Sequence, residues 1–339
     1  MKFPEFIKPG DTIGVTAPSG GAYDETDKNA FMAAKETLES MGYKVIFTDS
    51  VFKTDGFGRS ADKETRAKEF MELIENPAVK YICSAKGGDY LCEIQPYLDY
   101  EKIKNNPKWI QGYSDNTFLT LGITTCCDIA TVYGHNFGRY GMEEWHSSIK
   151  ENLMILEGKL DEQKNYESFQ NGFVDTVTGR EGYQTDTPVE LKLYNGNISE
   201  TEAKASGRLI GGCLDVVIDI IGTKYEDIKG FVDKYKDDGI IGYFESFINS
   251  TDGVIRNMWK MKELGWFENT KAILFGRELF YNEAGMTFDE ASMSVLGELG
   301  IPVIFGTDIG HKPPQMCMIN GAICDVSYKN GELSTKYIM

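Results

Sequence analysis

The chain has 339 residues, 41% hydrophobic and 12% aromatic, enough to bury the core of two domains or of one large α/β unit with an appendage. Its formal net charge of −17 argues against nucleic acid and anionic membrane surfaces as partners, while saying little about a small-molecule substrate. With three histidines in the whole chain, a His-rich metal site is not expected, and neither a metal nor a cofactor is called for.

The first residues, Met1-Lys2-Phe3-Pro4-Glu5-Phe6, carry no apolar core and no cleavage pattern of a secretory signal, and no apolar run reaches the length of a membrane span. The seven cysteines form no C-x-x-C pair and mostly lie inside apolar runs, as buried free thiols of a cytoplasmic protein do. Strand-like Asp11–Ala17 ends in the turn Pro18-Ser19-Gly20-Gly21. Helical spacing over Asp27–Met41 stops at Gly42, and a second strand covers Tyr43–Phe47. A charged helix over Ala61–Asn76, a strand over Val79–Ala85, the loop Lys86-Gly87-Gly88-Asp89 and a helix over Leu91–Leu98 follow. Strands alternating with helices of this length predict a parallel, doubly wound sheet, whose ligands bind at the carboxyl ends of its strands. The turns at Ser19, at Gly87-Gly88 and at Ser114 then belong to one end of it.

The apolar run Trp109-Ile110-Gln111-Gly112 reads as the next strand, and Tyr113-Ser114-Asp115-Asn116-Thr117 turns sharply into a helix beginning near Phe118. A serine at such a turn projects its hydroxyl from the sheet edge, with backbone N–H groups pointing the same way. Two roles fit Ser114: a nucleophile, and a helix N-cap. The G-x-S-x-G pattern of α/β-hydrolases is absent, because Asn116 stands at the second glycine.

From about Gly158 to Ser206 the chain is polar and turn-rich, as a linker or flap is. Order resumes at Gly207-Arg208-Leu209-Ile210-Gly211-Gly212, with an apolar helix over Leu214–Ile221. Strands follow at Ile240–Glu245, Ala272–Gly276 and Pro302–Phe305. Glu245 ends one strand, where it is either a water-facing charge or a buried carboxylate in need of a partner. His311 follows another strand, as a plain loop histidine or as the base that suits a serine at neutral pH. His135, in Tyr133-Gly134-His135-Asn136, is placed to line the cleft, and His146 reads as part of a solvated helix face. Gly87-Gly88 either presents a backbone N–H to an oxyanion or forms a turn. Neither glycine pair matches G-x-G-x-x-G or a phosphate-binding loop, so nucleotide-dependent chemistry has no support.

Taken in order, these segments resemble the LD-carboxypeptidase family of serine peptidases, which includes the microcin C self-immunity proteins. The resemblance rests on Lys8-Pro9-Gly10-Asp11-Thr12-Ile13 with Ala17-Pro18-Ser19, on Gly87-Gly88 with Pro96-Tyr97-Leu98-Asp99, and on Gly112-Tyr113-Ser114-Asp115 with Thr117. It continues through Gly207–Gly212 with Gly222-Thr223, Glu245, and Gly310-His311. It implies an N-terminal Rossmann-like domain with a mainly parallel sheet (residues 1–160), a linker or flap (161–186) and a smaller C-terminal α/β domain (187–339). Ser114 is then the nucleophile, His311 the base and Glu245 the acid that orients it. Backbone N–H groups of Gly88 and Asp115 form the oxyanion hole, and Ser19, Gly87, Asp89 and His135 are candidates for substrate contact. A homodimer acting on a small peptide-like substrate is also implied.

Two departures bear on substrate. Cys213 stands where the family commonly has asparagine, and Asp89 puts a negative charge beside the proposed cleft. The leading expectation is release of terminal D-alanine from a murein tetrapeptide. The alternatives are a microcin-immunity type of hydrolase acting on aminoacyl- or peptidyl-nucleotide amides, and a non-catalytic protein that holds a peptide or sugar in the same cleft.

Overall fold

The computed structural model describes residues 1–196 and 198–339. By internal contacts the chain divides into two units, one comprising Met1–Leu160 with Val174–Tyr183, the other Asp161–Phe173 with Gln184–Met339. They are nearly equal in length. The second unit, expected to be the smaller, gains residues 161–173, and the stretch expected as one linker is shared out between the two.

The first unit is built on β1 (Thr12–Thr16), α1 (Glu25–Ser40), β2 (Lys44–Phe47), α2 (Lys63–Glu75), β3 (Val79–Ser84), α3 (Tyr100–Asn105), β4 (Trp109–Gly112), α4 (Thr117–Cys127), β5 (Thr131–Tyr133) and α5 (Ser147–Leu156). Its strands lie in the order β5-β4-β3-β1-β2 and every pairing is parallel. β1 is buried at all five positions, which is why its sequence is a continuous run rather than an alternation. Helices begin where the sequence offers caps: Asp24 accepts from the Asp27 N–H and Asp62 from the Thr65 N–H. The segment expected as a helix over Leu91–Leu98 is instead a 3₁₀ turn over Leu91–Tyr97, with Pro96 inside it. Proline removes an N–H and crowds the preceding turn, so a regular α-helix does not form there.

The second unit comprises β6 (Glu162–Lys164), β7 (Ser168–Phe169), β8 (Thr187–Pro188), β9 (Lys192–Asn195), β10 (Ile198–Ser199), β11 (Glu202–Cys213), α6 (Leu214–Ile220), α7 (Ile228–Lys234), β12 (Ile240–Glu245), β13 (Ile248–Ser250), α8 (Thr251–Glu263), β14 (Thr270–Gly276), β15 (Phe280–Asn282), α9 (Phe288–Leu296), β16 (Pro302–Thr307), β17 (Met318–Asn320), β18 (Ile323–Lys329) and β19 (Glu332–Ile338). Nine of these strands form one mixed sheet in the order β10-β9-β16-β14-β12-β11-β18-β19-β6. Its centre, β11-β12-β14-β16, is parallel. β11 is long enough to serve two partners. It pairs antiparallel with β18 over Glu202–Arg208 and parallel with β12 over Arg208–Cys213. The core packs on this centre, with Phe244, Phe275 and Phe305 in contact and the last two rings stacked at 4.9 Å. Among the described residues no helix is long and apolar enough to cross a membrane, and no cluster of three or more His, Cys, Asp or Glu side chains is arranged to hold a metal ion.

Candidate active site

In the first unit, β4 runs into α4 through a single turn, and Ser114 at that turn has φ +65. A left-handed serine is uncommon and costs of order 1–2 kcal/mol, so the surroundings must hold it there. They do so on several sides. The Ser114 N–H donates to Tyr133 Oη at 3.2 Å, and Thr117 Oγ1 donates to the Ser114 carbonyl at 2.8 Å. Asn116 Nδ2 donates to the Tyr113 carbonyl at 3.0 Å and to the Lys86 carbonyl at 3.1 Å, which ties the serine turn to the loop after β3. Gly112 leaves room for this: a Cβ there would lie 2.7 Å from Asn116 Cγ.

The loop after β3 brings Gly87 against the serine. A Cβ on Gly87 would come within 3.0 Å of Ser114 Cβ and 3.1 Å of its Oγ, so a side chain at 87 would crowd the hydroxyl. Gly88 has φ +151, and a Cβ there would run into the Ser19 hydroxyl. Ser19 is fully buried and donates to Asp115 Oδ2 at 2.5 Å, and the Leu91 N–H donates to the same oxygen at 2.9 Å. Burial pushes the Asp115 carboxyl up to about 6 against the pull of these two hydrogen bonds, with the nearby Asp89 charge adding to the rise. Asp115 is thus a clasp joining three turns at the ends of β1, β3 and β4. Arg66 braces the same turns from behind. Its fully buried side chain donates to the Pro18 carbonyl at 2.9 Å and to the Tyr90 carbonyl at 3.1 Å, and it pairs with Glu93 at 2.5 Å. Arg59 and then Arg66 hold the Glu93 carboxyl down to about 2.

Of the other residues singled out, Asp89 is exposed, and His135 is almost fully buried with its imidazole pushed down to about 3 by burial and then by the Arg139 charge. His146, expected on a solvated face, is half-buried at the N-cap of α5, where Nδ1 accepts from the Ser148 N–H at 3.1 Å. A local histidine cap at a turn carries no periodic signal, which is why the pattern did not reveal it.

In the second unit, Glu245 at the end of β12 has no solvent exposure and His311 has 7%. His311 Nδ1 and Glu245 Oε2 lie 2.8 Å apart. Burial alone would lower the imidazole, but the Glu245 charge and hydrogen bond, helped by Asp215, hold it above the ordinary histidine value. Gly310, at φ +96, permits this contact, since a Cβ there would collide with the Glu245 carboxyl group. The Phe247 ring covers the imidazole at 4.8 Å.

Two acids and an arginine that sequence reasoning missed position this pair. Asp215 accepts the N–H groups of Phe247 and Ile248, each at 3.0 Å, and so fixes the turn that carries the covering ring. Cys213 donates to Asp215 Oδ2 at 3.6 Å and so joins the same acidic group. Arg277, just past β14, forms a buried pair with Asp308 at 2.7 Å and donates to the Gly306 and Lys312 carbonyls at 3.0 and 2.8 Å. It thereby clamps both sides of the His311 loop.

The first unit thus holds a strained serine beside two glycines, and the second a buried carboxylate–imidazole pair. Comparison with known proteins shows the family. The LD-carboxypeptidase N-terminal domain family matches residues 13–134, and the LD-carboxypeptidase C-terminal domain family matches residues 206–326. The chain belongs to the LD-carboxypeptidase family. A "Putative carboxypeptidase" of Vibrio cholerae is 30% identical over 340 residues, covering 97% of this chain and 96% of that protein. The microcin C7 self-immunity protein MccF of Escherichia coli is 30% identical over 337 residues, covering 96% and 93%. A solved structure of that immunity protein, a tryptophan-to-phenylalanine mutant in complex with adenosine monophosphate, superposes with a TM-score of 0.83 at 27% identity, covering 99% and 98%. Membership gives this chain the character of a serine-peptidase-type hydrolase.

Proposed function

We propose that the protein is a carboxypeptidase of small peptides that works through Ser114, His311 and Glu245. The observation that carries this reading is the buried His311–Glu245 pair at 2.8 Å, because a fully buried carboxylate bonded to one imidazole nitrogen leaves the other to handle a substrate proton. Ser114 Oγ attacks the scissile carbonyl while its proton passes to His311 Nε2. Glu245 holds Nδ1–H and stabilises the imidazolium. The N–H groups of Gly88 and Asp115 receive the oxyanion, such donors being worth about 2.7–4 kcal/mol when removed singly in another hydrolase. His311 then protonates the departing amine, and water entering with His311 as base releases the acyl group from Ser114. The preferred substrate is a murein tetrapeptide, cleaved at its terminal L,D bond, with the protein acting as a cytoplasmic homodimer.

A second reading, hydrolysis of an aminoacyl- or peptidyl-nucleotide amide, is favoured by the 30% identity with the immunity protein across nearly its whole length. The same attack and proton path serve it. The test is D-alanine release from the tetrapeptide by the wild type beside Ser114→Ala. Release by the wild type alone is expected. Equal release by both would remove Ser114 from the mechanism, and release by neither would favour the nucleotide amide.

A further inference from the structure

Next to Ser114, within the first unit, lies a cavity of about 280 Å³ whose wall includes Asp27, Lys86, Gly87, Tyr113, Asn136 and Arg139. Gly87 belongs both to this wall and to the surroundings of Ser114, since a Cβ on it would lie 3.1 Å from Ser114 Oγ. The space is large enough for a small polar fragment such as one amino acid residue.

The charges on this wall are uneven. Lys86 and Asp27 neutralise each other at 2.5 Å. Arg139 is part-buried and is answered by aromatic groups instead: its guanidinium lies 5.6 Å from the centre of the Tyr183 ring, and Tyr113 is a hydrogen-bond partner. Among the described residues no carboxylate forms an ion pair with it. In a chain of net charge −17, the wall of this cavity carries two cations, Lys86 and Arg139, to the one carboxylate of Asp27, which pairs directly with Lys86 and reaches Arg139 only through space. A guanidinium is the side chain best shaped to take a carboxylate or phosphoryl group through two parallel hydrogen bonds.

We infer that Arg139 and this cavity form the subsite for the leaving fragment, with Arg139 binding an anionic group on it. This deepens the carboxypeptidase reading and rests on Ser114 being the nucleophile. The anion is the free carboxylate of a departing C-terminal amino acid; a phosphoryl group on a departing nucleotide offers the same chemistry. Such a subsite gives an exopeptidase its direction, because only the last residue of a peptide carries a carboxylate one residue past the scissile bond.

The experiment uses Ser114→Ala protein, which cannot turn substrate over, with and without Arg139→Gln or Arg139→Lys. D-alanine, D-alaninamide and adenosine monophosphate are titrated by calorimetry. D-alanine is expected to bind at least tenfold more tightly than its amide, the preference vanishing in Arg139→Gln and partly returning in Arg139→Lys. Tighter binding of the nucleotide with the same Arg139 dependence would assign the anion to phosphate. Equal binding of acid and amide, a preference that survives Arg139→Gln, or no binding of any of the three would overturn the assignment. If Arg139→Gln does not fold, the acid-to-amide ratio and Arg139→Lys carry the test. Arg139-dependent binding without tetrapeptide hydrolysis by the wild type would sink the carboxypeptidase reading alone; hydrolysis without the acid preference would sink only the subsite.

Discussion

Asp115 offers a direct test of how burial is balanced at the serine turn. Its carboxyl is pushed from 3.8 to about 6, chiefly by desolvation, while Ser19 and the Leu91 N–H pull the other way. That displacement corresponds to about 3 kcal/mol of differential proton binding between folded and unfolded chains. Because the folded value lies above the unfolded one, the stabilisation is complete below about pH 4 and is lost as pH climbs through about 6. Asp115→Asn keeps an oxygen to accept from Ser19 and Leu91 but cannot ionise. Its amide N–H₂ adds a rearrangement of about 1 kcal/mol that does not depend on pH. Urea unfolding of both proteins from pH 4 to 7.5 should therefore show the variant gaining about 2–3 kcal/mol on the wild type across that range. Curves that stay parallel within about 0.5 kcal/mol would refute the reasoning, since Asp115 would then titrate alike in both states.

Other outcomes follow from the same geometry. Glu245→Gln should lower kcat/KM and move the acid limb of its pH profile to lower pH, because the carboxylate holds the His311 imidazole above its usual value of ~6.5; a limb that stays put would contradict this. Gly310→Ala should cut kcat at least tenfold with little change in KM, as a Cβ there displaces the Glu245 carboxyl group; wild-type kcat would show that the loop gives way. Arg277→Met leaves the Asp308 carboxylate buried without its cation and should cost about 3–5 kcal/mol, read as a large fall in thermal midpoint. Ser114→Gly should abolish turnover yet raise stability by about 1 kcal/mol, because glycine adopts φ +65 without penalty.

The parallel sheet of the first unit was legible because its buried strands are short apolar runs set between helices with recognisable caps. Strand edges at β3, β4, β12 and β14 fall within two residues of those read from pattern. The stretch from Gly158 to Ser206 hid five short strands before β11, which are too brief to show an alternation. The β18–β19 hairpin did carry a signal that went unread: Cys324, Val326 and Tyr328 point inward, and Asn330-Gly331, both at positive φ, form the turn. At the candidate site, Ser114, Glu245 and His311 stood out because each follows a strand. Arg66, Asp215, Arg277 and Arg139 did not, because their partners lie far away in sequence and only folding brings them together.

The chain's path has a consequence for how new specificity arises. Residues 174–183 belong to the first unit, although the segments before and after them belong to the second. They contribute Val174, Thr176 and Gly179 to the wall of the Arg139 cavity, and they contain no helix or strand. Their anchors are few, including the Thr178 carbonyl bound by Asn29 at 2.7 Å and the Arg180 carbonyl bound by the Glu143 N–H at 2.8 Å. A lineage can therefore reshape the compartment beside Ser114 by exchanging a few residues in this excursion. Neither sheet, nor Ser114, Glu245 and His311, would have to change in the same step.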